Sequence, residues 1–223
     1  MYDLTADDHK RVSAAIAAAE ERSDGEIVAI CADQSDAYHD VGLHWAVLAM
    51  VAVLAYFAAL PGQLEALHDR LSGWSAEPGL RELLTLLLFV ALLKFLAVLF
   101  ILKWRPARML LTPGSTKTRR VRRRAIMLFK TGAERRTIGR TGILIYLSMA
   151  EHRAEIVADE AITSVTTPET WGEAMTSLLT HVKAGRPADG IVAAVEIVGA
   201  VLAEHFPKST ADTNEIPDKL IEL

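Results

Sequence analysis

Cysteine is almost missing from this chain of 223 residues: Cys31 stands alone. One thiol excludes an intramolecular disulfide, and with it the stapled scaffolds of small secreted domains. A nucleophilic or redox role for Cys31 needs a basic partner that its setting, GEIVAICAD, does not supply, so it reads as a core residue at a strand end. A strong excess of either charge is also missing. The formal net charge is −4, which names no partner by itself. There is no P-loop and no Asp-x-Asp-x-Asp-Gly calcium loop. No Ser-His-Asp or Cys-His arrangement follows from spacing. The opening MYDLTADDHK is acidic and polar, unlike the basic start of a cleaved signal peptide. Catalytic residues are therefore not assigned.

What is present is apolar. Hydrophobic residues make up 51% of the chain, and the excess sits in two blocks. VGLHWAVLAMVAVLAYFAAL (41–60) carries no acidic residue, lysine or arginine. LLTLLLFVALLKFLAVLFIL (83–102) carries only Lys94. Each is about 20 residues, and at about 1.5 Å per residue each matches a hydrocarbon core about 30 Å thick. Trp45 and Trp104 suit interfacial positions. A lysine at the centre of a spanning helix costs roughly 3 kcal/mol, which the flanking Leu, Phe, Val and Ile offset. Lys94 reads as a snorkelling lysine, one satisfied by the other helix, or a partner in a pore or relay. The linking segment 61–82 is punctuated by Pro61-Gly62 and Pro78-Gly79. Its middle, QLEALHDRLSGW, reads as a short amphipathic helix with Trp74 as a surface anchor.

Basic residues set the expected orientation. The linking segment carries Arg70 and Arg81. After the second block come Lys103, Arg105, Arg108, Lys117, Arg119, Arg120, Arg122, Arg123 and Arg124. This asymmetry predicts that the later segment faces the cytoplasm, that residues 1–40 return to the same side, and that 61–82 faces out. The run RRVRRR is topogenic charge that also solvates a helix. Anionic lipid head groups are its expected by-product partner, at about 1 kcal/mol per basic residue. No aromatic platform or base-reading motif accompanies it, so nucleic acid is not an expected partner.

The polar parts read as an α/β domain. Residues 4–23 form a helix capped by Thr5 with Asp8, its apolar stripe built on Val12, Ala15, Ile16 and Ala19. GEIVAIC is a buried strand. Thr118–Thr131 is a basic helix with Val121, Ala125, Leu128 and Phe129 on one face. GILIYLS (142–148) is a central strand covered on both faces. MAEHR is a turn and AEIVADEAI a second strand. Helices follow from Pro168 to Gly185 and from Pro187, and the tail 207–223 is loose or draped. One strand and helix cannot fold alone. The expected organisation is therefore one domain, made of 1–40 and 105–206, with a transmembrane hairpin at 41–104 inserted after its first strand.

GEIVAIC, RTGILIYLSMAEHRAEIVADEAI, TWGEAM and DGIVAAVEIVGAVLAEHFP together resemble the TPM domain family, and most nearly its bacterial membrane branch, over 5–35 and 115–207. The ending NEIPDKLIEL fits that branch. The resemblance implies an α/β/α sandwich around a small mixed sheet, here interrupted by the two-helix hairpin. It also implies a bacterial membrane protein, and the basic-residue asymmetry adds the expectation of the inner membrane with both termini in the cytoplasm. Some plant members are described as acid phosphatases, and some members bind calcium through acidic loops. In many soluble members the second hairpin strand is followed by a glycine-rich turn, where this chain has ADEAIT.

Two functions are therefore weighed: a membrane-tethered module that binds a protein partner in assembly or quality control, and a metal-dependent phosphatase-like hydrolase. For the second, Asp24, Glu26, Glu151 and Asp159 are the candidate ligands of calcium or another divalent cation. Glu26 and Glu160 equally fit strand caps or pairs with Arg140 and Arg153. His152 and His205 are the candidate acid–base groups, and also fit a solvated turn and a helix end. Convergence of the acids decides between the two functions.

Overall fold

The computed structural model describes residues 4–72, 78–132, 141–209 and 218–223. Trp74 and Arg140 lie outside them. In chain order these residues form α1 (Ala6–Glu20), β1 (Glu26–Ala32), α2 (His39–Ala59), α3 (Pro61–Ser72), α4 (Leu80–Ile101), α5 (Arg105–Leu111) and α6 (Gly114–Gly132). Then come β2 (Gly142–Ser148), β3 (Arg153–Ala158), α7 (Glu160–Val165), a 3-10 turn at Pro168–Trp171, α8 (Gly172–Lys183), α9 (Pro187–His205) and β4 (Leu220–Glu222). The chain divides into two compact units: Met1–Asp36 with Gly114–Leu223, and Ala37–Pro113.

The first unit is a mixed α/β structure on a sheet of order β3-β2-β1-β4. Strands β1 and β2 are buried along their whole length, as their unbroken apolar runs require when helices cover both faces. They pair in parallel from Glu26 with Gly142 to Ala32 with Ser148. Strand β3 pairs antiparallel to β2 through a tight turn in which His152 takes φ 50°. On one face Ile27, Ala29, Ile143, Ile145 and Leu147 meet α1, α8 and α9. On the other Val28, Ile30, Leu144 and Tyr146 meet Val121, Ala125 and Phe129 of α6. Helix α1 starts with a true capping box: the Thr5 hydroxyl accepts from Asp8 N–H at 3.1 Å, and the Asp8 carboxylate accepts from Thr5 N–H at 2.9 Å. Helices α1 and α9 approach closely at Gly199, where a Cβ would stand 2.6 Å from the Ala19 Cβ.

Two sequence expectations fail here. AEIVADEAI is not one strand. The ladder closes when Asp159 N–H donates to Gly142 O at 2.9 Å, and the chain then turns into α7. The β-branched residues of EAITSV favour a strand, but one buried contact, Ile162, docks the segment as a helix. The tail is not wholly loose either. Leu220–Glu222 pairs in parallel with Ala29–Cys31, and Leu223 N–H donates to Cys31 O at 3.0 Å.

The second unit holds two helices long and apolar enough to cross a membrane, His39–Ala59 and Leu80–Ile101, which start two and three residues before the sequence blocks and end one residue before them. They meet at small residues: Gly42, Ala46 and Ala91 are buried, and a Cβ on Gly42 would stand 3.6 Å from Leu102. Leu48, Leu88, Phe89 and Phe100 are exposed. Trp45 donates its indole N–H to Leu111 O at 3.2 Å. Lys94 lies on the exposed side of α4, which fits a snorkelling lysine better than one held by the other helix.

Candidate functional site

The four candidate acids do not converge. Asp24, Glu26 and Asp159 stand at the amino ends of β1 and β2. Asp24 accepts from Ser209 N–H at 2.7 Å, and that backbone bond holds its carboxyl below the ordinary range. Asp159 accepts from Gly142 N–H at 3.1 Å, and Glu26 is buried in register with Gly142. Glu151 is at the opposite end, in the β2–β3 turn. The strand between Gly142 and Ser148 separates the two ends by roughly 20 Å. Among the described residues no three His, Cys, Asp or Glu side chains are arranged to hold a metal ion.

Each end of the sheet holds a polar group that the sequence reading passed over. At the amino end Glu20 is 6% exposed and accepts from Ile27 N–H at 2.8 Å. Burial pushes its pKa up to about 9, and Asp218 and Glu26 add to the rise. The signal was legible: Val12, Ile16 and Glu20 share one helical stripe, so an acid falls on the buried face. At the carboxyl end the Ser35 hydroxyl lies 2.9 Å from the Tyr146 hydroxyl and donates to the Ser148 hydroxyl at 2.8 Å. Ser148 bonds Glu151 in turn, and Glu151 accepts from Ser35 N–H at 3.0 Å. This network ties the exit of β1 to the hairpin turn. Its groups bond one another, which suits a structural clasp.

Glu20 makes stability depend on pH. Its folded pKa lies above its ordinary 4.5, so the protonated form is favoured in the fold. That contribution is complete below about 4.5 and is lost as pH rises towards about 9. Glu20→Gln keeps the oxygen that Ile27 N–H needs and cannot ionise. Thermal melts from pH 5 to 9 should fall more steeply for the wild type than for the variant. Equal slopes would show that Glu20 does not titrate in this way.

His152 and His205 are exposed, one in the turn and one at the last residue of α9. Cys31 is buried and its thiol is pushed up to about 12, chiefly by burial. Of the basic run, Arg119, Arg122 and Arg123 are exposed, while Arg120 is half-buried and pairs with Asp36 at 2.9 Å. Arg124 is half-buried.

A groove of about 510 Å³ straddles the β3 edge, within the usual range of ligand sites. Arg122 and Ile126 of α6 line one side, Trp171 and Met175 the other, and residues 155–158 of β3 form the floor. Burial raises the pKa of Glu155, against the pull of Arg122 and Arg153.

Residues 109–201 match the family model described as the TPM domain. The match runs from α5 through most of α9 and leaves out α1, β1 and β4. The fold is similar to the NMR structure of the BA42 protein from the psychrophilic bacterium Bizionia argentinensis, with a TM-score of 0.56 and 18% identity, over 99% of this chain and 95% of that one. No curated protein matches the chain.

Proposed function

We propose that this chain, which carries a TPM domain, is a membrane-anchored binding module whose α/β unit faces the cytoplasm of a bacterial cell and engages a protein partner. Anchoring rests on one observation above all: helices of 21 and 22 residues carry large apolar side chains over most of their exposed surface. Water does not tolerate apolar surface of that extent on a monomer. Orientation rests on the basic residues that follow α4, and the exposed Arg119, Arg122 and Arg123 would also draw anionic head groups. Binding is favoured over hydrolysis because Asp24 and Asp159 turn carboxylate oxygens to the N–H groups of Ser209 and Gly142, and Glu151, at the other end of the sheet, to that of Ser35. Metal-assisted hydrolysis needs several convergent oxygens, and acid–base catalysis needs two groups within reach of one substrate.

Cysteine labelling in intact cells tests the placement. Cys31 gives little background, being buried and slow to form a thiolate. A cysteine at Ser72 should react with an impermeant maleimide from outside. One at Ser209 should react only after the inner membrane is opened. Reaction of both from the same face would contradict the proposal.

A further inference from the structure

The two edges of the sheet are protected differently. Strand β4 is three residues long and follows Lys219, and a short, charged edge offers little to a passing strand. Strand β3 is six residues long, holds no proline, and pairs with β2 without a bulge. Its phase is fixed by the bond from Asp159 N–H to Gly142 O. In an antiparallel ladder the N–H and C=O of one residue point the same way and alternate along the strand. Arg153, Glu155 and Val157 therefore bond β2, while Ala154, Ile156 and Ala158 turn their backbone groups outward. No strand pairs with that side among the described residues. Ile156 and Ala158 line the groove, so outward-facing strand backbone forms its floor.

The walls define the occupant. Trp171 and Met175 offer apolar surface to the side chains on one face of an added strand, and Ile126 with Arg122 meets those on the other. Arg122 stands exposed on the rim, with Arg119 and Arg123 exposed on the same helix. Glu155 on the floor draws on Arg122 and Arg153, but the three exposed arginines of α6 outnumber that one acid, and the excess of positive charge favours an acidic partner. We infer that the β3 edge is a strand-addition site for an extended segment of a partner protein, with acidic and apolar residues in alternation. Backbone bonds to Ile156 and Ala158 supply affinity and register, and an acidic side chain meeting Arg122 supplies selection. This inference rests on the binding-module reading and names the site and the chemistry of the partner.

The test uses the full chain in detergent and two labelled hexapeptides, one alternating Glu and Val, the other Lys and Val. Fluorescence anisotropy reads binding, and hydrogen exchange reads the Ile156 and Ala158 amides. The Glu–Val peptide should bind saturably and slow exchange at both amides. Ala158→Pro removes one outward N–H without touching the β2 ladder, and should weaken binding about tenfold. Arg122→Glu, at an exposed position, should weaken it by a similar factor and transfer preference to the Lys–Val peptide. Should Ala158→Pro fail to fold, Thr163→Trp fills the groove from an exposed helical position and should abolish binding. Absence of saturable binding, or binding unchanged by Arg122→Glu and by the groove variant, would overturn the inference. A wild-type dimer that Ala158→Pro converts to monomer would assign the edge to a second copy instead. Adhesion to anionic vesicles lost with Arg122→Glu but kept with Ala158→Pro would assign the rim to lipid. Orientation plays no part in detergent. Failure here with Ser209 still protected in cells strikes only the groove, and a reversed labelling pattern with intact groove binding strikes only the topology.

Discussion

Ile145→Asp should abolish folding of the α/β unit. Ile145 is 1% exposed, lies between Ala29 of β1 and Ile156 of β3, and faces the core made with α1, α8 and α9. An aspartate there loses the buried side chain and adds a carboxylate with no partner, at a cost of several kcal/mol. A domain's whole stability is about 5–15 kcal/mol. Val28→Asp tests the opposite face, against α6, where the native residue is 8% exposed. Ile145→Val is the control, at about 1 kcal/mol. Limited proteolysis in detergent reads the result, because the apolar helices keep their helicity in every variant. Both aspartate variants should be cut throughout the α/β unit, while Ile145→Val resists like the wild type. Resistance in Ile145→Asp would mean that β2 is not the central strand.

The fold was legible where local pattern and tertiary demand agree. GEIVAIC and GILIYLS are unbroken apolar runs because both faces of those strands are covered. Thr5, Asp8 and the Val12–Ile16 stripe mark α1 by short-range chemistry alone. Legibility fails where a distant contact decides. Nothing in LIE announces a strand; it is one because Ala29–Cys31 offers its open side. EAITSV has the residues of a strand and becomes a helix because Ile162 reaches the core. The separation of Glu151 from Asp159 was available in principle, since a hairpin turn and the far end of its second strand lie at opposite ends. The groove was not. Arg122 stood out as one of a basic run, but its position over the β3 edge follows from how α6 crosses the sheet.

Removing Ala37–Pro113 should release the α/β unit as a soluble chain without unfolding its sheet. The α/β unit has its own core on both faces, and every strand pair in it joins residues outside the hairpin. The pair of Asp36 with Arg120, at 2.9 Å, holds the end of the first segment against α6, so a short Gly/Ser linker from Asp36 to Gly114 has little distance to span. Loop closure changes slowly with length, by about 0.6 kcal/mol per doubling, so shortening the connection costs nothing of consequence. The exposed leucines and phenylalanines of α2 and α4 leave with the segment.

Cell fractionation of the two chains side by side, followed by hydrogen exchange of the Ile27–Cys31 amides, tests the tethered-module account most directly. The full chain should stay in the membrane pellet through alkaline extraction. The shortened chain should appear in the soluble fraction, with those β1 amides protected and a cooperative melt. A shortened chain that remains with the membrane, or that is soluble but leaves β1 unprotected while the full chain is folded, would contradict it.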